Sequence, residues 1–153
     1  MENIATIERC VNLVIRSLQV IGFFEEIPRV TGWHLRWDKQ RLSRLDFRAA
    51  ATAEGEYPVM ILSEDFCLER DLDALIHESI HLAQIIKGDF EPGYGDGIST
   101  WKGRKYHNLP ANHERYFEDQ PWEVEAQELF PSIVKKMSEL SERHPQTFKS
   151  PGP

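Results

Sequence analysis

Ala74-Leu75-Ile76-His77-Glu78-Ser79-Ile80-His81-Leu82-Ala83-Gln84 carries the pattern H-E-x-x-H inside a run of helical periodicity. Leu72, Leu75, Ile76, Ile80, Ala83 and Ile86 predict one apolar stripe, with Asp73, His77, His81 and Gln84 opposite it. On a helix His77 and His81 stand one turn apart, and Glu78 lies about 100° round from His77. Three groups share one flank. Two neutral imidazoles so spaced can hold a Zn²⁺ ion while the neighbouring carboxylate takes the proton from a metal-activated water attacking a carbonyl. His77 and His81 are therefore candidate zinc ligands, and Glu78 the candidate general base. The competing reading is a surface helix carrying these residues by chance. A solvated face is usually rich in Lys and Glu, whereas this one gathers imidazoles beside a run apolar enough to be buried.

The whole chain sets the bounds around that helix. Its 153 residues suit a single domain able to bury a core without staples, and the expected domain spans 1–145 with a disordered polar tail at 146–153. A formal net charge of -7 argues against a nucleic-acid or anionic-membrane partner, because no basic field steers either one in. Cys10 and Cys67 are too few for a disulfide framework and form no C-x-x-C pair, so a reducing compartment is expected. Met1-Glu2-Asn3 lacks a basic leader, and no apolar run approaches the roughly 20 residues that span a bilayer. A cytoplasmic protein is the expectation.

Upstream, Ile4, Ile7, Val11, Val14, Leu18 and Ile21 predict an amphipathic helix ending at Gly22 and packing across a sheet. After Pro28 the period shortens to two. Trp33, Leu35 and Trp37 read as one strand, and Leu45, Phe47 and Ala49 as another. His34 sits among Trp and Leu neighbours and reads as a strand-surface residue. A turn at Gly55 leads into Val59-Met60-Ile61-Leu62, a continuous apolar run suited to a central strand of an antiparallel or mixed sheet. The H-E-x-x-H helix is expected over Leu68–Lys87, with Asp71 as its cap and Gly88 as its stop. Gly93, Gly95, Gly97 and Gly103 then predict a long loop forming a mobile rim over a cleft, with a hairpin around Trp101–Tyr106. A final helix opens at Pro121, buries Trp122, Ala126, Leu129, Phe130, Ile133, Met137 and Leu140, and stops at His144-Pro145.

Catalytic zinc normally takes three protein ligands, so two histidines leave the site incomplete. The extension H-E-x-x-H-x-x-G-x-x-H is absent, since Gln84 stands at its glycine and Lys87 at its third histidine. Downstream lies Pro121-Trp122-Glu123-Val124-Glu125-Ala126. With His77, Glu78, His81 and Gln84 upstream, and Trp101, Gly103 and Tyr106 between, the second half of the chain resembles the gluzincin-like metallopeptidases. It more closely resembles small phage and bacterial proteins that pair H-E-x-x-H-x-x-Q with P-[WF]-E-x-E-A.

The resemblance implies a zincin-like α+β fold, one Zn²⁺ ion, a peptide or protein substrate, and a third ligand from the last helix. Glu123 and Glu125 are its candidates. In gluzincin helices of the form E-x-x-x-D the first Glu binds zinc, which favours Glu123, although Gln127 departs from the supporting acid. Helical direction favours Glu123 as well, since it lies nearer the buried stripe. A first-turn Glu can also simply complement the helix dipole. His107 and His113 are rival ligands in the loop region, where histidines are more often exposed. Tyr106, His107 and Tyr116 are candidates to stabilise the oxyanion, with Trp101 and Trp122 expected in the cleft walls.

The leading expectation is a cytoplasmic zinc metallopeptidase, in the host cytoplasm if phage-encoded. The alternative, drawn from the chain's small size, is a zincin-shaped binding module with structural metal or none. An edge strand holding an extended peptide is implied by the resemblance, though the sequence does not identify the strand, the cleaved bond or the oligomeric state.

Overall fold

The computed structural model describes residues 3–24, 32–38, 47–93 and 97–143. Helix α1 spans Ile4–Val20, and its N-cap Asn3 accepts the Thr6 N–H at 3.2 Å. It stops where expected: Gly22 comes next with φ 84°, a conformation that costs glycine nothing. Ile7, Val11, Val14 and Leu18 form its buried stripe. That stripe packs chiefly against two other helices, not across a sheet as its pattern predicted, because the strands are covered from elsewhere.

Strands β1 (His34–Asp38), β2 (Ala49–Glu54) and β3 (Tyr57–Ser63) form a mixed sheet in the order β1-β3-β2. β1 runs parallel to β3 and β2 antiparallel to it. The apolar run Val59–Leu62 is central, as expected. Of the second predicted strand, Leu45 lies outside the described residues and Phe47 and Arg48 precede the first paired residue. The strand instead runs on through Ala49-Ala50-Ala51-Thr52-Ala53. Alanine has little intrinsic preference for strands, so tertiary pairing decides here. The two-residue turn Gly55-Glu56 sets the register by placing Glu54 opposite Tyr57. Because the Arg48 carbonyl accepts the Ser63 N–H at 2.9 Å, alternation turns the Ala49 and Ala51 peptide groups toward the sheet's open edge.

Helix α2 spans Leu68–Lys87 and lies along β2 and β3. Its N-cap is Cys67, and Asp71, expected in that role, sits inside the helix at a kink with φ -106° and ψ 17°. The carboxylate reaches back to the Cys67 N–H at 2.8 Å and pairs with the Arg70 guanidinium at 2.9 Å. The Arg70 pairing, opposed by burial and helped by the Cys67 N–H, holds the Asp71 carboxyl below its ordinary range. A depressed carboxyl stabilises the fold above its unfolded pKa, and that contribution is lost as pH falls through the folded value. The D71N variant is accordingly expected to have a lower urea midpoint than the parent at neutral pH. The gap should narrow in acid, which paired urea titrations measure.

At its other end α2 stops at Gly88, left-handed with φ 89°, as the sequence predicted. Beyond Gly88 the described chain builds a sheet where a long mobile rim was expected. β4 (Phe90–Glu91), β5 (Ile98–Trp101) and β6 (Arg104–His107) make up this second, antiparallel sheet. The expected hairpin is its β5–β6 pair, whose turn residues Lys102 and Gly103 both have positive φ, 50° and 82°. A one-turn helix, α3 (Tyr116–Asp119), leads into α4 (Pro121–Arg143), which starts at the predicted proline and passes through Pro131.

Among the described residues the architecture is α+β, with four helices and two three-stranded sheets. Leu75, Ile80 and Leu82 of α2 meet α1, Met60 and Leu62 of β3, and Ile133 and Met137 of α4 in the main core. Phe90, Trp101 and Trp122 make a smaller aromatic cluster. No helix among these residues is long and apolar enough to cross a membrane. The predicted stop at His144-Pro145 and the tail lie outside them.

Candidate metal centre

The i, i+4 spacing on α2 brings the His77 and His81 rings to 4.7 Å between centroids, nearly perpendicular, with their Nε2 atoms 3.1 Å apart. From across the cleft comes the first turn of α4, which aims Glu123 between them. Its Oε2 is 2.9 Å from His77 Nε2 and its Oε1 is 3.0 Å from His81 Nε2. Glu123 is only 3% exposed and His81 4%, so these charges meet largely away from water. Glu78 joins the group from the neighbouring position on α2, one carboxylate oxygen accepting the Ala51 N–H at 3.0 Å. His77, Glu78 and His81 offer donor atoms within 4.8 Å of one another and could hold a metal ion.

Glu125 is not at the centre. Two residues along a helix is a rotation of about 200°, and its carboxylate instead accepts the Gln84 Nε2–H at 3.1 Å. Tyr116 does reach the group, its hydroxyl donating to Glu123 Oε1 at 3.2 Å. Tyr106 does not, because the β6 register sets its ring edge-on to Trp122 at 6.0 Å with the Arg104 guanidinium over it. His107 and His113 are exposed, and His113 Nδ1 accepts the Arg115 N–H. Neither lines the cleft.

That cleft, about 200 Å³, opens over Glu78, His81 and Glu123. Ala49, Ala50 and Ala51 form one side, with Phe90, Leu109, Tyr116 and Trp122 among the residues of the other. Trp101 packs behind this wall against Phe90 at 6.4 Å. Gly93 also lines the cleft, and a Cβ there would lie 1.4 Å from the Ile98 carbonyl oxygen, so only glycine permits this approach.

The charges at the centre shift one another strongly. Burial works to raise the Glu123 pKa, but hydrogen bonds from both imidazoles outweigh it and hold the carboxyl at about 2. Burial would lower His81, yet Glu123, Glu78 and Gln84 together lift it to about 9. Glu78 is raised, burial overcoming the pull of His81, His77 and the Ala51 N–H. Burial, then the Glu123 and Glu78 charges, push the Tyr116 phenol up too, so it stays a hydrogen-bond donor at neutral pH. The buried Glu123 carboxylate is thus held by positive charge beside it, supplied in the metal-free centre by His81.

Two supporting residues escape a reading based on polarity alone. Gln84, placed on the open face by its pattern, is fully buried, because β4 and α4 cover that flank of α2. Its position three residues after His81 is the available signal. Gln120 has none: 2% exposed, it accepts the Leu109 N–H at 2.9 Å and donates to the Tyr116 carbonyl at 3.1 Å, clamping the corner that delivers Tyr116 and Glu123.

Fold and site together define an α+β protein with a candidate His/Glu metal centre. No family model, curated protein or solved structure matches the chain.

Proposed function

We propose that this chain is a zinc-dependent metallopeptidase of zincin-like fold, acting on a peptide or protein substrate in the cytoplasm, the host's if it is phage-encoded. The observation that supports this most strongly is the convergence of His77 Nε2, His81 Nε2 and the Glu123 carboxylate, 2.9, 3.0 and 3.1 Å apart. Ligands of a tetrahedral zinc, with bonds of about 2.0–2.1 Å, lie roughly 3.3 Å from one another. The spacing between the two Nε2 atoms, and the distance from each to its own Glu123 oxygen, fall within a few tenths of an ångström of that value, and the N,N,O chemistry suits the ion. When bound, zinc would supply Lewis acidity, polarising a carbonyl and making water a nucleophile at neutral pH.

The chain's own groups would do the rest. Glu78, steadied by the Ala51 N–H and lining the cleft, would accept the proton of the attacking water and return it to the leaving amine. Tyr116, whose hydroxyl donates to Glu123, would turn it to the oxyanion from the cleft wall. β2 is the edge strand beside these groups, so it would seat an extended substrate along Ala49–Ala51 through backbone groups other than the Ala51 N–H, which Glu78 holds.

Purified protein is expected to carry one zinc per chain and to cleave members of a peptide mixture. A chelator should abolish the cleavage and added zinc restore it. Capture of peptides without cleavage by the zinc-loaded protein would favour the binding module instead.

A further inference from the structure

Gln84 sits behind His81, out of the cleft, with no exposed surface. Its amide has two faces and both are committed. Nε2 donates to the Trp122 carbonyl oxygen at 3.0 Å and to Glu125 Oε1 at 3.1 Å. A carbonyl and a carboxylate only accept, so the amide cannot be turned round without setting three acceptors against one another. Oε1 is thereby left facing His81 Nδ1 at 2.7 Å. An acceptor at that distance requires the hydrogen on Nδ1.

We infer that Gln84 is the positioning residue of this centre: with α4 as its anchor, it fixes a donor on His81 Nδ1 and so leaves Nε2 as the nitrogen turned to the metal position. The inference rests on the metal-centre reading for its purpose, though not for its geometry. It explains why an amide serves here. A carboxylate at 84 would also accept from Nδ1 but would confront the Trp122 carbonyl and Glu125 with no donor. It also gives Glu125 a task, holding the far end of the chain Glu125–Gln84–His81, while Glu123, two residues earlier on α4, faces the metal position. One helix turn thus supplies both a ligand and the brace for another ligand.

The experiment compares the parent with Q84L and the Q84E/E125Q pair, with circular dichroism and thermal unfolding confirming that each variant folds. Proton and nitrogen NMR of selectively labelled histidine reads the ring directly in the metal-free protein. The parent should show a slowly exchanging, downfield His81 Nδ1 proton. Q84L should lose it, and Q84E/E125Q, in which residue 84 still accepts from Nδ1 and residue 125 becomes the donor while the Trp122 carbonyl gives up its bond, should regain it. Zinc affinity by competition with a chromophoric chelator should fall about 10–100-fold in Q84L, the usual cost of removing a partner behind a ligating histidine, and recover in the pair. An Nδ1 proton absent from the parent, or unchanged in a folded Q84L, overturns the inference. A parent that binds no zinc but shows the Gln84-dependent proton overturns the metal reading alone and leaves the ring-orienting role of Gln84 supported. If Q84L fails to fold, the paired variant decides: an Nδ1 proton moved further downfield by the carboxylate acceptor supports the inference, and one absent or left at its parental shift with the fold intact overturns it.

Discussion

Glu78→Gln is expected to reduce peptide turnover by a factor of about 10²–10⁴, the range a positioned general base contributes, while leaving zinc bound. The amide nearly matches the carboxylate in shape. Its oxygen can still accept the Ala51 N–H that steadies Glu78, so the local geometry survives. What it cannot do is take up a proton. Substrate affinity should change little, because the amide keeps the shape of the carboxylate in the cleft wall and its bond to the Ala51 N–H of the β2 edge. Thermal stability should not drop, since the substitution removes a buried charge that the surroundings penalise. The measurements are single-turnover cleavage, zinc content by atomic absorption, and the thermal midpoint. Cleavage at the parental rate would remove Glu78 from the chemistry, and loss of zinc from a well-folded variant would mean that the carboxylate acts as a ligand.

The helix carrying Glu78 was legible because two independent patterns coincide in it: an apolar stripe at helical spacing and donors one turn apart. Pro121 and Gly88 marked helix ends for local reasons, a preset φ and a left-handed stop, which operate whatever packs nearby. Features decided by tertiary pairing were hidden. The alanines of β2 look neutral in sequence, yet their small side chains let the cleft open between the sheet and α4. The glycines of residues 93–103 suggested a loose rim, but Gly93 marks a close backbone approach and Gly103 a tight hairpin turn. Polarity misplaced Gln84 as well. A buried amide whose partners are a histidine, a main-chain carbonyl and a glutamate 41 residues away gives no periodic signal.

Glu123 and Glu125 are the same in kind and were separated in the sequence by helical direction and by the E-x-x-x-D resemblance, so exchanging each for glutamine tests the centre most sharply. E123Q is expected to cost far more than the roughly 10–100-fold in zinc affinity that comes with loss of a supporting partner, because it leaves two of the three protein ligands that catalytic zinc requires. Cleavage should fall to background with it. E125Q retains both imidazoles and the Glu123 carboxylate; its damage passes only through Gln84, so its loss should stay within that supporting range. Zinc that binds only the native state stabilises it with the logarithm of one plus the ratio of free zinc to its Kd, which raises the unfolding temperature. Micromolar zinc should therefore raise the melting point of the parent and of E125Q, and leave that of E123Q nearly unmoved. Equal zinc-dependent shifts in parent and E123Q would remove Glu123 from the ligand set. Loss of the shift in E125Q alone would move the third ligand two residues along α4, against a geometry in which Glu123 is the carboxylate within 3.0 Å of both imidazoles.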